Sequence, residues 1–168
     1  MEDYKIKNIL ISTSSIFLTL SALISLWLVG HVVLKGSIDF LIAILLIVSA
    51  CLILTTIGVN LPLIRNPDSL TERKANFNII ISVLQSLSIL VDGFNYRYVQ
   101  GFEWGVFFHL NHNTNKTIFN TFFSTFIFEG VFNFKSNDGF TIGINFIAVF
   151  LVILYVFLRK GLVRGKNK

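Results

Sequence analysis

The chain has 168 residues, of which 54% are hydrophobic and only 14% are charged. Soluble globular proteins carry roughly 25% charged residues and disordered chains carry few hydrophobic ones, so the composition excludes both classes. Its single cysteine excludes an intramolecular disulfide scaffold and a cysteine-based zinc site. The sequence therefore predicts an integral membrane protein, mainly α-helical, with four or three transmembrane helices.

The net charge of +5 is concentrated in one place. The tail 159–168 contains five basic residues and no acidic one, so the rest of the chain is neutral overall. A basic tail beside a long apolar run is weak evidence for nucleic-acid binding, which requires a basic surface. We therefore expect no nucleic-acid partner.

The first two apolar runs are long enough to cross a bilayer, which takes about 20 residues of helix. We predict helices at 8–30 and 38–58, the second ending before Pro62 because proline interrupts a helix. The third run, 77–92, is short and its apolar residues partly alternate. A short or tilted helix and a buried strand both fit, and we favour the helix.

The segment 93–139 differs from the rest of the chain. Alternate residues from Phe94 to Leu110 are mostly aromatic or apolar, a period of two that is typical of a strand. Five polar residues, 111–115, then indicate a turn before a second aromatic run. We predict an aromatic β-hairpin or small sheet, whose assembly face comprises Tyr96, Tyr98, Phe102, Trp104, Phe108, Phe126, Phe128, Phe132 and Phe134.

Two alternatives remain open for this segment. It could be an amphipathic or re-entrant element, or its second half could be an additional span interrupted by Glu129. A charge in the middle of a membrane costs about 2.5 kcal/mol or more, which disfavours the additional span.

The last apolar run predicts a helix at 140–158 that stops at the basic tail. Short cytoplasmic flanks carry an excess of Lys and Arg, so the C-terminus is expected in the cytoplasm. With four spans the N-terminus is cytoplasmic as well, and with either four or three spans 93–139 lies outside the cytoplasm.

Candidate sites for metal or polar chemistry are few. His109 and His112 form the one histidine pair, with Glu103 as a possible third ligand. A spacing of three points the two histidines to opposite faces of a strand, so we expect no metal. We also expect no cofactor, because no nucleotide-binding or metalloprotease motif is present. A polar path could use Gln85, Asp92, Glu129 and Asn145.

A two-stranded hairpin with a phenylalanine-rich face is not stable alone in water. It must pack against the helices, lipid, a second copy or another protein. The sequence therefore predicts a non-catalytic membrane subunit that assembles through this segment with other membrane subunits or with itself. The alternatives are a small oligomeric channel or membrane-permeabilising effector, and an intramembrane enzyme.

Overall fold

The computed structural model describes residues 2–35, 40–91, 94–111, 116–133 and 139–166. It confirms a mainly helical chain with a small antiparallel sheet. The elements, in chain order, are α1 (Glu2–Lys35), α2 (Phe40–Arg65), a short 3₁₀ helix (Pro67–Ser69), α3 (Glu72–Ser86), β1 (Leu87–Val91), β2 (Phe94–Asn111), β3 (Lys116–Asn133), β4 (Gly139–Asn145) and α4 (Phe146–Lys166).

Three helices in this part of the chain are long and apolar enough to cross a membrane, at Tyr4–His31, Ala43–Arg65 and Phe146–Val163. The third apolar run forms both structures considered for it: helix α3 ends at Ser86 and strand β1 follows without a loop. With 15 residues, α3 is about 22 Å long, which is less than a hydrocarbon core of about 30 Å.

Two of the helix boundaries that differ from the sequence-based expectation have a clear structural cause. Helix α2 continues through Pro62 to Arg65, since a proline near the end of a helix removes a single backbone hydrogen bond. The Pro62 carbonyl in turn accepts a hydrogen bond of 2.9 Å from the Asn66 amide. The last helix begins at Phe146 because the preceding residues, 139–145, pair with β2 as strand β4.

The four helices pack so that α1 begins beside the end of α4. Ser12 Oγ donates to the Ile64 carbonyl at 3.2 Å, which sets α1 antiparallel to α2. Ser14 Oγ lies 3.0 Å from the Tyr155 hydroxyl, which joins α1 to α4. The first turn of α3 meets the last turns of α4 through the Arg159–Glu72 ion pair, at 3.6 Å.

The sheet has the strand order β1-β4-β2-β3, and β1 also pairs with the start of β2. The pairs β1–β2, β1–β4 and β2–β4 are all antiparallel. Three straight strands cannot all be antiparallel to one another, so β2 must bend. A bulge lies between Gly101 and Glu103, and Gly101 has a φ of 84°, a left-handed conformation that glycine adopts readily.

The bend rests directly on α1. A Cβ added to Gly101 would lie 2.5 Å from the Cα of Ser21, so only glycine allows the strand to approach the helix this closely. Phe102 continues the contact, with its ring centroid 5.2 Å from that of Phe17.

Candidate functional site

The half of the β2–β3 hairpin beyond the bulge carries an exposed aromatic face. Trp104 pairs with Phe123, and Phe108 pairs with Phe119. Residues opposite each other in a sheet share a face, and so do residues four apart along a strand. All four side chains are exposed, with Phe119 at 66% and Phe123 at 68%. We call these four residues the aromatic face.

On the opposite face of the same strands, the side chains pack against one another and against β4. The Phe107 ring stacks on Phe122 with a centroid distance of 4.3 Å, and the Arg97 guanidinium lies 5.0 Å from the Phe107 centroid. A Cβ on Gly143 would lie 2.2 Å from the Phe107 ring, so the strand β4 is pressed against it. One face of the sheet is therefore packed by residues of the sheet itself, whereas the aromatic face is exposed.

Three of the predicted assembly residues are used inside the chain instead. Tyr96 donates its hydroxyl to the Leu84 carbonyl at 2.7 Å, Tyr98 is buried, and Phe102 packs on Phe17. Burial raises the pKa of both tyrosine phenols above their usual value. These residues join the sheet to α3 and α1, whereas Trp104 and Phe108 belong to the aromatic face.

The predicted residues on the second strand are placed by their backbone register. Phe128 lies opposite Gln100 and Phe132 opposite Tyr96, while Phe126 lies within the bulge. Phe134 lies outside the described residues. Sequence analysis missed Phe119 and Phe123, because the bulge shifts the register by one residue and thereby brings odd-numbered β3 residues onto the face of even-numbered β2 residues.

Strand β3 is the terminal strand of the sheet. One edge pairs with β2, and no other described strand pairs with its second edge. Natural proteins usually protect such edges with lysine, other charges or proline. The stretch 117–128 contains none of these, and although β3 also contacts α1, no charge or proline in this stretch blocks strand pairing beside the aromatic face.

The position of the aromatic face along the axis of the helix bundle follows from its contact with α4. The Trp104 ring meets Phe146, the first residue of α4, with a centroid distance of 5.6 Å. Fourteen residues of helix separate Phe146 from Lys160, a length of about 21 Å. The aromatic face therefore begins about 21 Å from the basic end of α4, which is less than the thickness of a hydrocarbon core, about 30 Å.

The metal-site candidates are engaged in other contacts. The Glu103 carboxylate, which is 1% exposed, accepts a hydrogen bond from Arg97 Nη2 at 2.8 Å. His109 Nδ1 lies 2.6 Å from the Thr141 hydroxyl, and His112 is outside the described residues. Among the residues that the structure describes, no three His, Cys, Asp or Glu side chains form a group that could hold a metal ion.

The candidate polar-path residues separate into two groups. Gln85 and Asn145 are buried where α3 and α4 meet the sheet. Asn145 caps α4, since its Oδ1 accepts hydrogen bonds from the amides of Ile147 at 3.1 Å and Ala148 at 3.4 Å. Asp92 lies outside the described residues, and Glu129 is located only by its backbone pairing with Val99.

A further set of buried polar residues, which the sequence analysis did not identify, lies on α1, α3 and β2. We call this set the buried polar layer. Each member, on α1, α3 or β2, carries a buried hydroxyl oxygen, or in Gln100 an amide nitrogen, that has no hydrogen-bond partner within the described part of the chain. The members are Ser15, Thr19, Ser21, Ser82 and Gln100. The recurrence of serine and threonine along α1 was the available signal.

No family model, curated protein or solved structure matches this chain.

Proposed function

We propose that this protein is a non-catalytic integral membrane subunit. In this proposal α1, α2 and α4 cross the bilayer, α3 and the strand β1 that continues it make a fourth crossing, and the sheet assembles with another membrane subunit or a second copy. One observation carries it: β3 is a terminal strand that combines an edge paired with no other described strand with the exposed rings of Phe119 and Phe123.

The surfaces of the long helices support a membrane location. Large apolar side chains point outward along all three, including Leu23 on α1, Ile47 on α2 and Phe150 on α4. Soluble monomers rarely expose apolar patches of this extent, whereas lipid covers such surfaces without cost. The exposed Trp27, near the far end of α1, fits an anchor at the membrane interface.

The distribution of basic residues supports one orientation. The end of the bundle where α1 begins and α4 ends carries most of the basic residues that flank the helices, whereas Lys35 is at the other end of α1. Cytoplasmic flanks are enriched in Lys and Arg, so both termini are cytoplasmic in this proposal and the sheet is extracytoplasmic. The basic residues are Lys5, Lys7, Arg65, Arg73, Lys74, Arg159 and Lys160.

The level of the aromatic face favours a protein partner. In this orientation the face begins in the outer half of the bilayer, because Trp104 meets the start of α4. Lipid can cover the aromatic rings, but it cannot satisfy the amide and carbonyl groups of a strand edge. A strand of another membrane-embedded chain can cover the rings and satisfy the backbone groups, so we propose that the partner binds there.

Native mass spectrometry of the full-length protein in mild detergent tests this proposal. The wild type should appear in complexes, and the double variant Phe119→Ser/Phe123→Ser should shift to the lone chain. The matched control is Ile153→Ser, which changes an apolar side chain that is 63% exposed on α4 and should leave the complexes intact. A wild type that is monomeric in the detergent and in the native membrane would refute the proposal.

A small channel is the second candidate, and the buried polar layer favours it. Unpartnered hydroxyl and amide groups at the centre of a membrane domain are costly unless water or an ion reaches them. Ion flux through vesicles containing the purified protein, lowered by Thr19→Val or Ser82→Ala, would support the channel. Absence of flux from the wild type would eliminate it.

A further inference from the structure

We infer that the groove between the first turns of α1 and the last turns of α4 binds one anionic phospholipid. The groove has a volume of about 730 Å³, which lies within the range of ligand pockets. Lys7 and Lys160 line it together with apolar residues of both helices. The inference rests on the membrane location proposed above and is independent of the assembly surface.

The two lysines supply an uncompensated positive charge. Within the described part of the chain, neither has a carboxylate at ion-pair distance, and no acidic residue lines the groove. Their cationic neighbours are engaged elsewhere: Arg159 pairs with Glu72 at 3.6 Å, and Lys74 Nζ donates to the Ser69 carbonyl at 3.1 Å. A phosphodiester group between the two ammonium groups would offset one of the two positive charges and accept charge-assisted hydrogen bonds from the lysines.

The apolar part of the groove distinguishes a lipid from a soluble anion. Leu10 lines both this groove and a second cavity of about 200 Å³ that continues along the seam between α1 and α4. The second cavity reaches Phe17 and Ile147 and is lined by no charged residue among those described. Lys7 and Phe17 are ten residues apart, so the seam offers an acyl chain a path of about 15 Å.

The charged end and the apolar seam of the groove therefore follow the same order as the headgroup and the acyl chain of a phospholipid. The lysines lie at the end of the bundle where a headgroup would be, and the apolar seam runs toward the bilayer centre. Basic pockets between transmembrane helices on the cytoplasmic side are known to suit anionic headgroups. Gly161 also lines the groove, and a Cβ added there would meet nothing within 4 Å, so this position can take a larger side chain that fills it.

The test measures bound lipid on the full-length protein by native mass spectrometry in mild detergent. Phosphatidylglycerol is titrated against phosphatidylcholine with identical acyl chains, and glycerol 3-phosphate serves as the chain-free headgroup. The test variants are Lys7→Gln/Lys160→Gln and Gly161→Phe. The matched control is Lys5→Gln/Arg73→Gln, which removes the same charge from the same end outside the groove lining.

We expect the wild type to retain one phosphatidylglycerol in preference to phosphatidylcholine. Removal of each groove lysine should lower that preference about fivefold, and Gly161→Phe should abolish retention, while the control double variant keeps it. Three results would each overturn the inference: equal loss in the control, unchanged retention in Gly161→Phe, or equal affinity for glycerol 3-phosphate. The same spectra report oligomeric mass separately, so loss of the lipid site and failure of the assembly proposal are distinguishable.

Discussion

Arg97 and Glu103 lie six residues apart on the same strand, yet Arg97 Nη2 is 2.8 Å from Glu103 Oε2. Six residues of straight strand span about 20 Å, so this ion pair requires β2 to bend between them. The carboxylate is almost fully buried and the guanidinium lies over the Phe107 ring. The pair thus joins the two halves of β2 at the point where the sheet meets α1.

Loss of this ion pair should strongly destabilise the sheet. Glu103→Gln removes the negative charge from this largely buried ion pair, and removing one partner of a buried pair costs about 3–5 kcal/mol. Thermal unfolding in detergent should show the loss. Glu72→Gln is the matched control: it breaks the half-exposed Arg159–Glu72 pair, whose contribution should be below about 1 kcal/mol. Equal effects of the two substitutions would show that the bend does not depend on Arg97–Glu103.

The contact between strand and helix at Gly101 should not tolerate even one methyl group. Gly101→Ala forces alanine into a φ of 84° and places its Cβ 2.5 Å from the Ser21 Cα, which is backbone and cannot move aside. We expect a loss of at least about 1–3 kcal/mol from the strained conformation alone. Gly58→Ala on α2 is the control, because its Cβ would meet nothing within 4 Å and alanine favours helix. The unfolding midpoints of the two variants should move in opposite directions.

A pair of buried asparagines joins α2 to α3. The Asn60 and Asn78 side chains exchange two hydrogen bonds, at 3.0 and 2.9 Å. Asn60→Leu leaves the Asn78 amide buried and unpaired, so it should cost about 1–2 kcal/mol, and Asn78→Leu should cost a similar amount. The double variant removes both polar groups and should recover most of the lost stability. Additive losses in the double-mutant cycle would contradict a direct interaction.

The two tryptophans should report different depths in the membrane. Trp27 lies twenty residues along α1 from Lys7, about 30 Å, whereas Trp104 meets α4 at about 21 Å from Lys160. In vesicles at a high lipid-to-protein ratio, we expect the Trp27 fluorescence of Trp104→Phe to be quenched most by bromines near the headgroup. The Trp104 fluorescence of Trp27→Phe should be quenched most by bromines deeper in the acyl chains. The reverse order would contradict the proposed placement.

The helices were accessible to sequence analysis because membrane-length apolar runs dominate three of them. The composition and the gaps between charges predicted α1, α2 and α4, although α2 extends past Pro62 and the last helix starts six residues late. The late start reflects a long-range effect: Gly139–Asn145 is apolar enough for a helix, but it pairs with both β1 and β2. Such pairing depends on partners distant in sequence, and local pattern does not identify them.

In the aromatic segment, too, local pattern predicted the secondary structure but not the long-range arrangement. Its period of two predicted strands, and the structure contains them as β2 and β3. The face was not predictable, because the bulge at Gly101 reverses which residues of β3 lie beside Trp104 and Phe108. A single register shift moves every side chain to the other face, so an alternation counted along β3 does not carry through the bulge to Phe119 and Phe123.

Photo-cross-linking in the native membrane tests the central claim most directly. A photo-reactive amino acid at position 121, which pairs with Val106 between the two aromatic pairs, lies at the centre of the aromatic face. The comparison site is position 150, where Phe150 is 60% exposed on α4. The account predicts a protein adduct from position 121, either with a second copy or with another membrane subunit, and lipid adducts from position 150. Lipid adducts alone from both positions would contradict it.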